Sequence, residues 1–100
     1  MVAVRGEIDV YTAPEVKAAA TEAVSGSPKL VLDLTETTFV DSTALGVIIG
    51  LVKRVRPVGG DVVLVNVDPE IARTLAITGL DELLNVFEHR DPAVAALIDG

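Results

Sequence analysis

Two runs, Leu30 to Leu34 and Asp61 to Val67, are so densely packed with Val and Leu that neither can leave one face in water. A strand with a solvated face alternates apolar and polar residues, whereas near-continuous apolar runs belong to strands covered on both sides. Between them a helix begins near Ser42, with Leu45, Ile48, Ile49, Val52 and Val55 at helical spacing. Its end is marked by Lys53, Arg54 and Arg56 in the last turn, then by Pro57, Gly59 and Gly60. Bases there complement the helix dipole on a solvated face, and Pro and Gly stop the helix and turn the chain. Interior strands joined by a helix predict an α/β fold in which at least part of the sheet is parallel. Gly46 and Gly50, four residues apart on one helix face, predict close approach of a neighbouring element.

The same alternation extends in both directions. Val2 to Arg5 reads as a strand that ends in Gly6-Glu7-Ile8-Asp9. Thr12 is the predicted N-cap of the next helix, with Glu15 at capping-box spacing and Val16, Ala19, Ala20, Ala23 and Val24 as its apolar stripe. Ser25 to Pro28 ends it. Asp68 caps a further helix with Pro69 just inside its start and Gly79 just past its end. Val86 to Glu88 reads as a last short strand, and Asp91 and Pro92 introduce a terminal helix over Ala93 to Ile98. If the first two strands are adjacent, Gly6–Asp9 and Phe39–Thr43 lie close together.

With 100 residues the chain has the length of one domain, 1–100, and no linker or repeat divides it. A net charge of -7 repels phosphate backbones and anionic lipid, and an aromatic content of 3% offers little for base stacking. Nucleic acid and membrane surfaces are therefore not expected partners, and a protein carrying basic residues is. No cysteine is present, so disulfide, thiolate and cysteine-metal chemistry are excluded, in keeping with a cytoplasmic setting. The longest apolar stretch, Ala44 to Val52, is about half of a bilayer span, and the N-terminus lacks the apolar segment of a signal peptide.

The chemistry-bearing segment is Phe39 to Gly46, FVDSTALG. Asp41, Ser42 and Thr43 stand at a predicted helix start, beside unpaired N–H groups and the positive end of the dipole, where a phosphate on either hydroxyl is well accommodated. The ordinary alternative is that Asp41 or Ser42 is an N-cap. Nothing in the sequence supports catalysis: His89 is the only histidine and reads as solvent-facing or capping, and no HExxH, Walker-type loop or GxGxxG occurs. Glu7, Asp9, Asp33 and Asp41 could converge around a hard cation, but their stronger effect is to make the rim near Thr43 acidic. No metal, cofactor or enzymatic activity is expected.

Four stretches then resemble the STAS domains of the anti-sigma factor antagonist family: Gly6 to Asp9, Val31 to Leu51, Gly59 to Phe87 and the terminal helix. The acid followed by two hydroxyls before a Leu-Gly pair, with Thr78-Gly79-Leu80-Asp81 some thirty-five residues on, is the specific part. The resemblance implies a STAS-type α/β fold, a mixed sheet of four to five strands with helices packed mainly on one side. It places the phosphorylated hydroxyl at Thr43 and gives Ser42 a structural role. Partner binding then falls on Glu7, Asp9, Asp41, Ser42, Thr43, Ala44, Gly46 and Val47. Ala44 stands where the family commonly has Gly, and the strand that usually precedes Gly6–Asp9 is missing or displaced.

The implied function is that of an anti-sigma factor antagonist. The unphosphorylated form binds an anti-sigma factor that is a serine/threonine protein kinase and so releases a sigma factor. Phosphorylation at Thr43 switches binding off, and a phosphatase resets it. The alternative is a non-phosphorylated STAS interaction module, an assembly subunit or part of a larger sensor. A kinase ligand is expected to be a monomer or weak homodimer, whereas an assembly subunit self-associates.

Overall fold

A single sheet carries strands β1 (Val2–Ile8), β2 (Lys29–Val40), β3 (Asp61–Val65) and β4 (Asn85–Phe87) in sequential order. The computed structural model describes residues 2–99. Each neighbouring pair runs parallel, so the mixed sheet implied by the resemblance is replaced, among the described residues, by a parallel one. The reason lies in the connections: every strand-to-strand link contains a helix that carries the chain back to the same end of the sheet. These helices are α1 (Ala13–Gly26), α2 (Ser42–Val55), α3 (Pro69–Thr78) with the short α4 (Leu80–Leu83), and α5 (Arg90–Asp99) follows β4. The short α4 and the 3-10 turn at Arg56–Val58 were not foreseen from the sequence.

The period-two alternation of strand side chains divides the apolar residues between two cores. Leu30, Leu32 and Leu34 of β2 and Val62 and Leu64 of β3 face α1, α2, α3 and α4, meeting Ala20, Val24, Leu45, Ile48, Val52, Ile71, Leu75 and Leu80. Val31, Val63 and Val65 point the other way, onto Ala93 and Leu97 of α5. The expectation of strands buried on both faces and helices mainly on one side holds. Both faces are apolar because both are covered, which is why the two runs carry so few polar residues.

Two strands are longer than their apolar runs predict. β2 continues past Leu34 through Thr35, Glu36, Thr37 and Thr38 to Val40, and β1 continues past Arg5 to Ile8. Over this extension β2 pairs only with β1 and buries only Thr37 and Val40, three residues apart because the register slip places an extra residue of β2 between them, so polar residues fill most of the remaining positions. Thr37 is buried and donates its hydroxyl to the Val4 carbonyl at 2.9 Å. The β1–β2 register slips between Ala3 and Arg5 and again between Gly6 and Glu7, each time with an extra residue on β2. Gly6 has φ 74, a conformation that glycine adopts without steric cost, and the second slip falls directly after it.

Helix ends follow the local chemistry closely. The Asp68 carboxylate accepts from the Glu70 N–H at 2.8 Å, and Gly79 ends α3 with φ 77. β3 stops at Val65 rather than Val67: the Asn66 N–H makes the last bond to β4, at the Phe87 carbonyl, and the Asn66 side chain then bonds the Asp68 backbone and carries the chain toward α3. β4 is displaced by one residue from the predicted Val86–Glu88, and α5 begins at Arg90, ahead of the Asp91-Pro92 signal. No helix among the described residues is long and apolar enough to cross a membrane.

Candidate partner-binding and phosphorylation site

The ends of β1 and β2 lie side by side: Ile8 is the register partner of Val40, and the Asp41 N–H donates to the Ile8 carbonyl at 3.2 Å. The juxtaposition expected for Gly6–Asp9 and Phe39–Thr43 is therefore present. In a parallel α/β sheet the loops that follow the strand ends are where ligands and partners meet the scaffold.

On the β1 side the turn is organised by Asp9. Its Oδ1 accepts from the Tyr11 N–H at 2.9 Å and the Thr12 N–H at 3.1 Å. These bonds, the Thr12 N–H foremost and the Tyr11 N–H next, hold the Asp9 carboxyl below the usual carboxylate range. The capping box predicted at Thr12 and Glu15 does not form through the threonine side chain. The Thr12 hydroxyl instead reaches back, donating to the Glu7 carbonyl at 2.8 Å and accepting from the Asp9 N–H at 2.9 Å. Glu7 is exposed beside this turn.

On the β2 side the Asp41 Oδ1 accepts from the Ala44 N–H at 3.0 Å, which makes Asp41 the N-cap of α2. Of the two candidates left open by the sequence, the cap is thus the aspartate. Ser42 and Thr43 occupy the first two helical positions and are both exposed, while Ala44 and Leu45 turn into the core. The alanine that stands where glycine is common in the family carries a buried methyl group.

Past Thr43 the outer flank of α2 faces α1 across an open groove of about 380 Å³. Thr43, Gly46, Val47, Gly50 and Arg54 line it from α2, and Lys17 and Thr21 line it from α1. A Cβ added at Gly46 or Gly50 meets no atom within 4 Å, so the close approach predicted for these glycines is not made within the chain. They sit at the edge of the buried stripe, where the two helices stand apart. Arg56, read from sequence as a dipole complement, is instead paired with Asp61 at 3.2 Å.

Asp33 does not join the other carboxylates. It is fully buried under α5, where it accepts from the Thr35 N–H at 2.9 Å and from the Arg90 guanidinium. Burial alone would raise its pKa, but the Thr35 donors and Arg90 outweigh that and hold it below the usual range. Among the described residues no group of three or more His, Asp and Glu side chains could hold a metal ion. His89 is exposed.

One feature of the site escaped the sequence reading. Val10 and Tyr11, in the turn after β1, are 57% and 86% exposed, and Phe39, register partner of Glu7, is 49% exposed. The chain has one tyrosine and two phenylalanines, and two of these three rings project at this end of the sheet. Apolar residues inside a turn, Val10-Tyr11 directly after an acid, were the available signal.

Comparison with known proteins agrees with this geometry. The family model described as STAS domain matches residues 1–93. The anti-sigma-B factor antagonist of Listeria monocytogenes is 40% identical over 83% of this chain and 74% of its own length. The anti-sigma-B factor antagonist of Bacillus subtilis is 34% identical over 83% of this chain and 76% of its own length. The crystal structure of an anti-sigma factor antagonist from Mycobacterium paratuberculosis superposes with a TM-score of 0.86 at 31% identity, covering 95% of this chain and 81% of the other.

Proposed function

Since the chain belongs to the STAS domain family, we propose that it acts as an anti-sigma factor antagonist whose affinity is switched at Thr43. In its unmodified form it binds an anti-sigma factor that is a serine/threonine protein kinase and so frees a sigma factor. That kinase phosphorylates Thr43 and lowers its own affinity for the product, and a phosphatase restores it. The protein is a ligand in this cycle rather than an enzyme, and the cycle is cytoplasmic.

The observation that carries the reading is the division of labour at the start of α2. Asp41 takes the cap, and Thr43 stays exposed at the second helical position, on the same end of the sheet as Tyr11 and Phe39. Exposed aromatic side chains amid polar ones are the usual anchors of a protein interface. A phosphate at Thr43 adds a charge of about -1.5 to -2 beside Asp41 and Asp9. The helix N-terminus tolerates that charge locally, whereas an interface that had closed over it does not.

The test is intact-protein mass spectrometry with peptide mapping after incubation with ATP and each anti-sigma kinase of the source organism. One added phosphate, located on Thr43, is expected with the cognate kinase. Thr43→Ala is expected to bind that kinase like the parent and to resist modification, and Thr43→Glu to bind at least about tenfold more weakly. Equal affinity of both variants would sink the switch.

A second reading, the unmodified assembly module, draws on a different observation. β1 is an outer strand of the sheet, with Ala3, Arg5 and Glu7 exposed along it. An unpaired strand edge is a template for another chain. Sedimentation at increasing concentration separates the two: progressive self-association favours the assembly module.

A further inference from the structure

The groove between α1 and α2 extends from Thr43 along α2, and its lining is unusual for this molecule. The chain has eight basic side chains against fifteen acidic ones, so most of its surface repels an anion. Three arginines, Arg5, Arg56 and Arg90, are paired with Glu36, Asp61 and Asp33. Lys17 and Arg54, which border the groove from opposite helices, have no carboxylate within ion-pair distance among the described residues. Between them the floor is Gly46, Val47 and Gly50, where added side-chain atoms meet nothing within 4 Å. Glycines inside an exposed helix are the poorest formers after proline, and here no packing within the chain compensates for them. Their spacing would let a second backbone come close, as small residues four apart do where helices cross.

We infer that this groove is the seat of a helical, carboxylate-bearing segment of the anti-sigma factor, with Lys17 and Arg54 as the residues that select its charge. The inference rests on the antagonist function proposed above and names the partner's chemistry. Continuity of surface supports it, because Thr43 lines the same groove as Lys17 and Arg54 and stands at the start of α2. A partner that reaches Thr43 as a substrate thus already lies at the groove. The helix-in-groove mode also fits the shape, an apolar floor with charge on both rims. Phosphate on Thr43 would then act on the docked segment in a second way, by placing a dianion at the mouth of a groove that receives carboxylates.

The test is calorimetric titration of the anti-sigma factor identified by the phosphorylation experiment into the unmodified chain and its variants. Charge reversal by Lys17→Glu with Arg54→Glu is expected to weaken binding at least about tenfold, and Lys53→Glu, which changes a base outside the groove, no more than about threefold. Gly50→Leu fills the groove without a charge on an exposed helical position. It is expected to fold with unchanged or higher Tm and to bind at least about tenfold more weakly. Binding of both variants within about twofold of the parent would overturn the groove assignment while leaving the antagonist function standing. A loss with Lys53→Glu equal to that of the double reversal would also overturn it, since net charge alone would then be steering the encounter. Concentration-dependent dimerisation abolished by Gly50→Leu would assign the groove to a second copy and overturn it likewise. If the parent chain binds no anti-sigma factor at all, both readings fall.

Discussion

At the start of α2, three adjacent polar residues have different fates. Asp41, Ser42 and Thr43 are all competent caps, and the sequence left the cap open between the first two. The structure decides it through the backbone: Asp41 is extended, with φ -105 and ψ -176, so its carboxylate reaches the Ala44 N–H, while Ser42 and Thr43 are already helical. Asp41→Ala is expected to lower stability by about 1 kcal/mol, within the range of about 0.5–2 for lost caps, and Tm by about 4–8 °C. Asp41→Ser should recover most of that in a thermal melt, because a serine can accept the same bond. If Asp41→Ser restores stability but not affinity for the anti-sigma factor, the carboxylate also touches the partner. At this scale helix ends such as Asp68-Pro69 and Gly79 were legible, because each depends on one residue's own conformational preference. Thr12 does stand at the N-cap position of α1, but its side chain makes no capping bond, because its hydroxyl is claimed by Glu7 and Asp9, residues of the preceding strand end and turn.

Elements were legible where burial is two-sided and obscure where it is one-sided. The apolar runs of β2 and β3 announced interior strands, but the second half of β2, paired only with β1, carries threonines that blur its boundary. The anchoring of α5 was out of reach for the same kind of reason: Arg90 and Asp33 are far apart in sequence and meet only after the sheet has formed. The buried Asp33 carboxylate also sets a pH dependence, because its burial is outweighed by the Thr35 donors first, and by Arg90 after them. Asp33 has a folded pKa below its unfolded value of about 3.9, so its contribution is complete above that value and disappears as pH falls through the folded one. Asp33→Asn is therefore expected to lower stability near pH 7 by about 1–2 kcal/mol, Arg90 being half-exposed and screened, and to differ less and less from the parent below about pH 4. Urea midpoints of both proteins across that range check the convergence. A gap that stays constant down to the acid limit would show that Asp33 acts through shape rather than charge.

For the molecule as a whole, the question is whether phosphorylation acts by reshaping the fold or by changing a surface. Parallel pairing of the interior strands was readable from the alternation of elements, and the family from the motifs at Gly6–Asp9, Phe39–Gly46 and Thr78–Asp81, but the open groove and the exposed rings depend on how far apart helices stand, which no local pattern encodes. The geometry favours a surface effect. Thr43 is exposed, its neighbours Ala44 and Leu45 hold the helix in the core, and Asp41 already satisfies the cap, so a phosphate has no core contact to disturb. The added charge of about -1.5 to -2 joins a molecule of net charge -7, and its effect on a partner is largely Coulombic. Coulombic repulsion at an accessible site is screened over about 10 Å at 0.1 M salt and about 3 Å at 1 M. The ratio of affinities of unmodified and Thr43-phosphorylated protein for the anti-sigma factor is therefore expected to narrow as salt rises across that range, with the Tm of the two forms staying within about 2 °C of each other. A ratio indifferent to salt would instead mean that the phosphate obstructs the interface by its bulk, and a large difference in Tm would mean that the fold itself responds.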